Sequence, residues 1–348
     1  MKYFLFVLCS FNFCISLAQS DDYGISDTIY NDFGLFEQDE ILKLSLYFDV
    51  KAYTRKKPKD EYLNALLVYH FSENDSVSNE IKIKSRGAFR NEYCTFPPLK
   101  LNFKKAKFKY SDVNEISTMK LVTHCNYSPK NTQYIFKEYM VYKLYNLISD
   151  ISFRVRLVQI NYIDTGKKKK TISHYGFFIE PLSVLGERLN LLPTKVSNVS
   201  QKHIQPDILD RVAIFQYMVG NTDWSVYRQH NTKVLTPIEP ITTVNGVLIP
   251  YDFDYCGLVN ASYAVPSEDS KIRNVTERYY AGLCREDTVL QNALLEFLKK
   301  RDDMHNYINS FDHIEDRVKK QVVSYLDSFF QGIENGKTVK HMKSTCLK

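Results

Sequence analysis

The sequence predicts an α+β protein of two lobes, with an antiparallel β-rich N-terminal lobe that contains one helix and a mainly helical C-terminal lobe. Short segments of alternating apolar and polar residues dominate residues 41–182, as expected of half-buried strands. Apolar residues recur at spacings of three and four in residues 206–218 and after residue 287, which is typical of amphipathic helices. The predicted domains are therefore a β-rich lobe at residues 41–182 and a helical lobe at residues 183–348.

The N-terminus has the pattern of a secretory signal peptide at residues 1–18. Lys2 supplies a positive charge, an apolar run follows, and small residues precede a cleavage site near Ala18. Residues 19–40 are polar and are predicted to be a flexible lead-in. No later stretch reaches the ~18 consecutive apolar residues that a membrane helix needs. The expected location is therefore secreted, periplasmic or cell-surface, without a transmembrane segment.

Period-two alternation places the strands of the N-terminal lobe. They are expected at residues 42–48, 64–71, 81–84, 99–103, 119–122, 153–162 and 173–180. The one helix of this lobe is predicted at residues 131–147, because Tyr134, Val141 and Tyr145 recur at helical spacing and Asn131 or Thr132 can cap the first turn.

The C-terminal lobe is predicted to begin its regular structure with a helix that starts at Pro206 and stops at Gly220. Residues 241–244 and 247–249 are predicted to form a hairpin, since Asn245-Gly246 favours a type I′ turn. Two further helices are expected at residues 289–311 and 314–333.

Composition and charge are those of a globular protein, with 44% hydrophobic and 14% aromatic residues and a net charge of +6. The charge is mild and no nucleic-acid-binding motif accompanies it, so a nucleic-acid partner is not expected. In an exported chain some cysteines should form disulfides. Cys94 with Cys125 is one expected pair, and Cys284 is expected to pair with either Cys256 or Cys346.

Acidic residues bracket the predicted hairpin. Asp223 and Asn231 precede it, whereas Asp252 and Asp254 follow it. Because a hairpin returns the chain to its starting point, these side chains should converge at one end. Carboxylate and amide oxygens suit a hard divalent cation, and a carboxylate beside the cation can accept a proton.

Several short motifs occur together in this chain, namely Ser85-Arg86-Gly87, the Pro-Pro-Leu-Lys-Leu run at 97–101, residues 175–180, Gly220-Asn221-Thr222-Asp223 with His230-Asn231, and Tyr251-Asp252-Phe253-Asp254. In this order they resemble the CotH family of secreted atypical kinases, in particular its members from Bacteroidetes bacteria. The resemblance spans about residues 40 to 260. It implies an atypical protein-kinase-like fold, with ATP and Mg²⁺ or Mn²⁺ as cofactors. The implied activity is phosphoryl transfer to a Ser or Thr hydroxyl of a secreted or cell-surface protein.

The resemblance also implies roles for the acidic residues. Asp223 would orient the attacking hydroxyl and accept its proton, while Asn231 and Asp252 would hold the metal ions that bridge the phosphates. Asp254 is a second candidate for the metal.

Four further residues would bind the nucleotide. Lys100 would pair with the phosphates and Glu138 would be its ion-pair partner, Arg86 would lie in the loop over the phosphates, and Glu180 would neighbour the adenine. The chain departs from kinases in lacking a Gly-x-Gly-x-x-Gly loop. That departure leaves room for a catalytically silent, kinase-like surface scaffold.

Two other activities use similar groups. A glycoside hydrolase would use Asp223 and Asp252 as its carboxylate pair, and a nucleotidyl transferase would use the same metal and phosphate machinery.

Overall fold

The structure is a computed structural model that describes residues 33–70, 76–108, 110–166, 169–238, 246–266, 268 and 270–348. The predicted signal peptide at residues 1–18 and most of the predicted lead-in at residues 19–40 lie outside the described residues.

Seven strands close into a barrel. They are β1 Leu42–Phe48, β2 Leu63–His70, β3 Ser76–Ser85, β4 Leu99–Asn102, β5 Thr118–Val122, β6 Val155–Asp164 and β7 Thr171–Ile179. Their order around the barrel is β1-β2-β3-β4-β5-β7-β6. All neighbouring strands are antiparallel except β1 and β6, which run parallel with Leu42 opposite Val158. The parallel pair gives a partner to both strands that would otherwise be exposed sheet edges.

The closed mixed barrel shows that the predicted two-lobed, protein-kinase-like fold with an antiparallel N-terminal sheet was wrong. The strands themselves lie close to their predicted positions, and the broad α+β class holds. Alternation within a strand reports which face is buried, but it carries no information on which strands are neighbours. The parallel contact between β1 and β6 joins segments more than a hundred residues apart, so local pattern could not reveal it.

Ten α-helices occur in the described residues. They are α1 Val50–Lys56, α2 Phe89–Tyr93, α3 Ser111–Asn114, α4 Pro129–Asn146, α5 Leu182–Leu189, α6 Pro206–Val219, α7 Asp287–Lys299, α8 Arg301–Ser310, α9 Asp316–Glu334 and α10 Lys337–Thr345. The predicted helices at residues 131–147 and 206–218 are confirmed as α4 and α6. Gly220 ends α6 with φ +68°, a left-handed conformation that glycine adopts without strain. The helix predicted at residues 289–311 is instead two helices, α7 and α8, that meet at Lys300.

A small second sheet has the order β10-β9-β8, formed by β8 Leu191–Pro193, β9 Thr232–Pro237 and β10 Val247–Pro250. The β9–β10 pair confirms a hairpin in which β9 is the partner of the strand predicted at residues 247–249, and the strand predicted at residues 241–244 lies outside the described residues. Val247 lies opposite Leu235, and residues 239–245 lie outside the described residues. The backbone N–H of Gly246 donates to the carbonyl oxygen of His203, and the carbonyl oxygen of Gly246 accepts from the backbone N–H of Gln205.

Two hydrophobic cores organise the chain. One fills the barrel with alternate residues of its strands, and the other joins α4 and the ends of β5, β6 and β7 to α6, the β9–β10 hairpin and the C-terminal helices. Helix α4 is buried along most of its length. It therefore connects the barrel to the second sheet, which is where the acidic loops lie.

Two disulfides are formed, Cys94–Cys125 and Cys284–Cys346. The first predicted pair is confirmed, and Cys346 is the partner of Cys284. Cys256 is unpaired and buried. Disulfides of this kind are compatible with an exported protein. Across the described ranges, every helix is either too short or too polar to cross a bilayer.

Candidate functional site

The β9–β10 hairpin brings the two acidic loops together. The first residue of β9 pairs with the last residue of β10. Asn231 therefore precedes one strand at the same end at which Asp252 follows the other. The backbone N–H of Tyr251 donates to the carbonyl oxygen of Asn231 at 3.0 Å, which ties the loops to each other.

Three carboxylates meet beside this end of the hairpin. Glu138 on α4 and Asp252 and Asp254 after β10 each offer one oxygen, and these oxygens lie within 4.8 Å of one another. Glu138 and Asp254 are buried, with 2% and 5% of their surface exposed. Glu138 Oε1 is buried without a hydrogen-bond partner, and a buried polar atom of this kind requires an explanation.

Phe253 anchors the loop that carries two of the carboxylates. Its ring is fully buried and contacts the rings of Tyr142 and Phe215 at centroid distances of 4.8 and 5.8 Å. Asp252 has φ +64°, and its backbone N–H donates to the Tyr142 hydroxyl at 2.8 Å. Asp is one of the few side chains that tolerate this left-handed conformation. The buried ring and the unusual backbone together hold both aspartates beside α4.

Arg90 and Tyr263 also contact carboxylates of the cluster. Arg90 on α2 lies 3.5 Å from Glu138 and 3.9 Å from Asp254, and it donates to the carbonyl oxygen of Thr123 at 2.7 Å. The Tyr263 hydroxyl donates to Asp254 at 3.0 Å. One guanidinium thus pairs with two of the three carboxylates.

The pKa values of the cluster reflect crowding of like charges in a region poor in water. Burial raises the pKa of Glu138 well above its ordinary value, the charge of Asp254 raises it further, and Arg90 opposes both. Burial also raises the pKa of Asp254 to about 6, with the charge of Asp252 acting in the same direction. A cation bound among these oxygens would favour their charged forms.

Asp223 is held close to this cluster by its neighbours. Asn231 Nδ2 donates to its carboxylate at 2.9 Å and to its carbonyl oxygen at 2.8 Å, and His230 Nε2 lies 3.0 Å from the other carboxylate oxygen. Its backbone N–H donates to Asn221 Oδ1 at 3.0 Å. With 32% of the side chain exposed, Asp223 is oriented and also reachable from solvent. The hydrogen bond that His230 donates to the Asp223 carboxylate raises the pKa of His230.

Basic side chains also gather near Asp252. Lys120 on β5 has its pKa lowered to about 8 by burial and then by the charge of Arg86, whereas Asp252 opposes the change. The ammonium groups of Lys120 and Lys233 lie 4.7 and 5.3 Å from the centroid of the Tyr251 ring. An acidic and a basic region therefore adjoin at Asp252.

The other predicted nucleotide-binding residues differ in their surroundings. Lys100 on β4 lies directly opposite Lys120 in the barrel register, which puts it beside the basic region. Glu138 pairs with Arg90 rather than with Lys100. Glu180 follows β7 with its carboxylate bound by two nitrogens of Arg188, each at 2.9 Å, and it is not part of the acidic cluster.

Lys120, Lys233 and Arg90 were not predicted from the sequence as site residues. Glu138 was predicted as a nucleotide-binding residue and not as a member of the carboxylate cluster. Lys120 could have been predicted as a site residue, because it lies on the strand that directly precedes the helix carrying Glu138. The chain offered no comparable signal for Arg90, since a five-residue helix between two strands has no characteristic pattern.

Comparison with protein-family models found no family that matches this chain. Comparison with curated proteins found no relative either. The resemblance to the CotH family therefore remains a prediction from the motifs.

Proposed function

We propose that the protein binds a divalent cation, Mg²⁺ or Mn²⁺, and transfers a phosphoryl group from ATP to a hydroxyl group. The observation that carries this proposal is the cluster of Glu138, Asp252 and Asp254, whose oxygens lie within 4.8 Å of one another. Oxygen ligands lie ~2.0–2.6 Å from Mg²⁺ or Ca²⁺, so oxygens at this spacing can share one ion. The donor set contains only carboxylates, which suit Mg²⁺ and Mn²⁺ better than zinc or copper.

The charge of the cluster supports a single divalent ion. Three carboxylates and the Arg90 guanidinium carry two net negative charges, and one divalent cation balances them. The buried Glu138 Oε1, which has no hydrogen-bond partner, would then have a ligand to bind. Asn231 uses its amide nitrogen for its hydrogen bonds to Asp223, so its side-chain oxygen is the atom that would contact a metal ion.

When bound, the cation supplies a bridge between phosphate oxygens and neutralises charge that develops during transfer. The protein's own part is to hold the phosphates and the acceptor. Lys120 and Arg86 carry positive charge near Asp252, so they would bind phosphate oxygens beside the cluster. Their ammonium and guanidinium groups donate hydrogen bonds that are strengthened by charge.

Asp223 would be the proton acceptor. Its hydrogen bonds from Asn231 and His230 hold the carboxylate in one orientation, so that an oxygen can receive the proton of an acceptor hydroxyl as that hydroxyl attacks phosphorus. His230 is positioned to stabilise the negative carboxylate before the transfer.

The acceptor would be a Ser or Thr hydroxyl of a secreted or cell-surface protein. The two disulfides support an oxidising compartment for the enzyme. The partial exposure of Asp223 supports an acceptor that approaches from solvent. Nucleotidyl transfer from ATP would use the same cation and lysines, and the group attached to the acceptor distinguishes the two reactions.

The test combines binding with transfer. Wild-type protein with Mn²⁺ and ATP should show a rise in melting temperature, because a ligand at one hundred times its Kd adds about 2.7 kcal/mol of stability. Asp252→Asn should lose that rise, and Asp223→Asn should keep it but fail to transfer phosphate. Asp312→Asn is the matched control, since this aspartate is 91% exposed and lies outside the cluster.

Mass spectrometry of acceptor proteins after incubation with ATP reports the transferred group. An added phosphoryl group that requires Asp223 supports the proposal, and an added nucleotidyl group identifies the other reaction. Binding of cation and ATP with no transfer to any acceptor identifies a binding protein, and no response to cation contradicts the proposed site.

A further inference from the structure

Three lysines form one row across the outside of the barrel. Lys84 on β3 lies opposite Lys100 on β4, and Lys100 lies opposite Lys120 on β5. Their neighbours along the strands, such as Ile83 and Leu121, are buried in the barrel core. Since successive side chains point to opposite faces of a strand, the three lysines share the outer face.

The row is electrostatically unfavourable in the protein alone. Like charges directly opposite each other on antiparallel strands are destabilising, and among the described residues none of the three lysines forms a salt bridge with a carboxylate. Lys84 has an aromatic contact, with its ammonium 5.0 Å from the centroid of the Tyr62 ring. Burial and the charges of Arg86 and Lys100 both lower the pKa of Lys120. The fold therefore gathers positive charge here, and Asp252 near Lys120 is the counter-charge at one end of the row.

The row also has a direction. Lys120 lies at the end next to Asp252, which belongs to the carboxylate cluster, and Lys84 lies two strands further away. Neighbouring strands are separated by ~4.8 Å, so the backbone positions of Lys84 and Lys120 are about 10 Å apart. A single phosphate is too small to contact all three lysines, whereas a linear chain of phosphates can.

We infer that Lys84, Lys100 and Lys120 form a binding site for a linear chain of at least three phosphates, which runs across β5, β4 and β3 away from the carboxylate cluster. The inference rests on the proposed function only for the cation at the Lys120 end. It adds that the protein recognises the length of the phosphate chain. The chemistry fits both a nucleoside triphosphate and inorganic polyphosphate.

The test is calorimetric binding of inorganic tripolyphosphate and pyrophosphate to the full chain in EDTA, so that the result does not depend on a divalent cation. Tripolyphosphate should bind about tenfold more tightly than pyrophosphate, because it reaches one more lysine and tenfold in affinity corresponds to about 1.4 kcal/mol. Lys84→Ala and Lys84→Gln should each weaken tripolyphosphate about tenfold, or about 1.4 kcal/mol, and leave pyrophosphate nearly unchanged.

Lys82→Ala is the matched control. Lys82 lies on the same strand and the same face as Lys84, but its cross-strand neighbour is the neutral Asn102. Its removal should change neither affinity by more than about twofold. Equal effects of the Lys82 and Lys84 substitutions would overturn the inference, as would a Lys84 substitution that weakens both phosphates equally or neither.

A parallel measurement of ATP binding distinguishes a nucleoside triphosphate from inorganic polyphosphate as the ligand. If Lys84→Ala weakens ATP and tripolyphosphate by the same factor, the row holds a nucleoside triphosphate. If only tripolyphosphate responds, the row holds inorganic polyphosphate. Either result supports a site for a phosphate chain. Failure of the proposed transfer reaction is measured separately. In that case tripolyphosphate still binds in EDTA, but no phosphorylated acceptor is formed.

Discussion

The carboxylate cluster predicts that removing one of its charges stabilises the protein when no cation is bound. Asp254→Asn is the sharpest perturbation, because the amide keeps an oxygen that can accept the hydrogen bond from Tyr263. Burial and the charge of Asp252 raise the pKa of Asp254 from 3.8 to about 6. The folded state therefore holds this proton more tightly than the unfolded chain does.

The sign of the pH dependence follows from that difference. Below pH 4 the carboxyl is protonated in both the folded and unfolded states, and it contributes no penalty. As the pH rises from about 4 to about 6, the unfolded chain releases the proton first and stability falls. A pKa difference of about two is worth about 3 kcal/mol, and Asp254→Asn should recover up to that amount above pH 6.

Urea denaturation in EDTA at pH 4.5 and pH 7.5 measures the effect. At pH 7.5 the variant should be more stable than the wild type, and the difference should shrink at pH 4.5. Saturating Mn²⁺ should stabilise the wild type and have little effect on the variant, because the variant lacks one ligand. A variant that is less stable than the wild type in EDTA at pH 7.5 would refute the argument that burial and the charge of Asp252 make the ionised form of Asp254 unfavourable. Asp312→Asn, at an exposed position, controls for loss of a surface charge.

Three further predictions concern the surroundings of the cluster. Lys120→Met should raise the stability of the ligand-free protein, since Lys120 is partly buried among positive charges. The same substitution should weaken ATP binding about tenfold in calorimetry, because it removes a charged hydrogen-bond donor. Replacing Cys94 and Cys125 by serine should lower the free energy of unfolding by about 3–4 kcal/mol in urea titrations, from the chain entropy of the loop that the disulfide closes. His230→Gln should lower the rate of phosphate transfer about tenfold in steady-state assays, because His230 contacts the proposed proton acceptor Asp223. Calorimetry should show an unchanged affinity for Mn²⁺, because His230 does not contact the carboxylate cluster. An equal loss of transfer rate and Mn²⁺ affinity would contradict this role.

Much of the local structure was readable from the sequence. Period-two alternation located the barrel strands, and helical spacing together with Gly220 located α6 and its end. The disulfide Cys94–Cys125 was among the expected pairs. The sequence also showed two acidic loops on either side of a hairpin. These loops are expected to meet whichever residues form the first strand, because a hairpin brings its two ends together. These features depend on residues close in the chain.

The tertiary structure alone decided the rest, because it depends on contacts between distant segments. Closure of the barrel requires β1 to pair with β6, and no local pattern encodes that partner. Glu138 joins the carboxylate cluster because α4 packs against the hairpin, and Arg90 reaches the cluster from a short helix between β3 and β4. The row of lysines exists only through the register of three strands. The sequence by itself determined which chemical groups the protein carries, whereas folding determined which of these groups face each other across space.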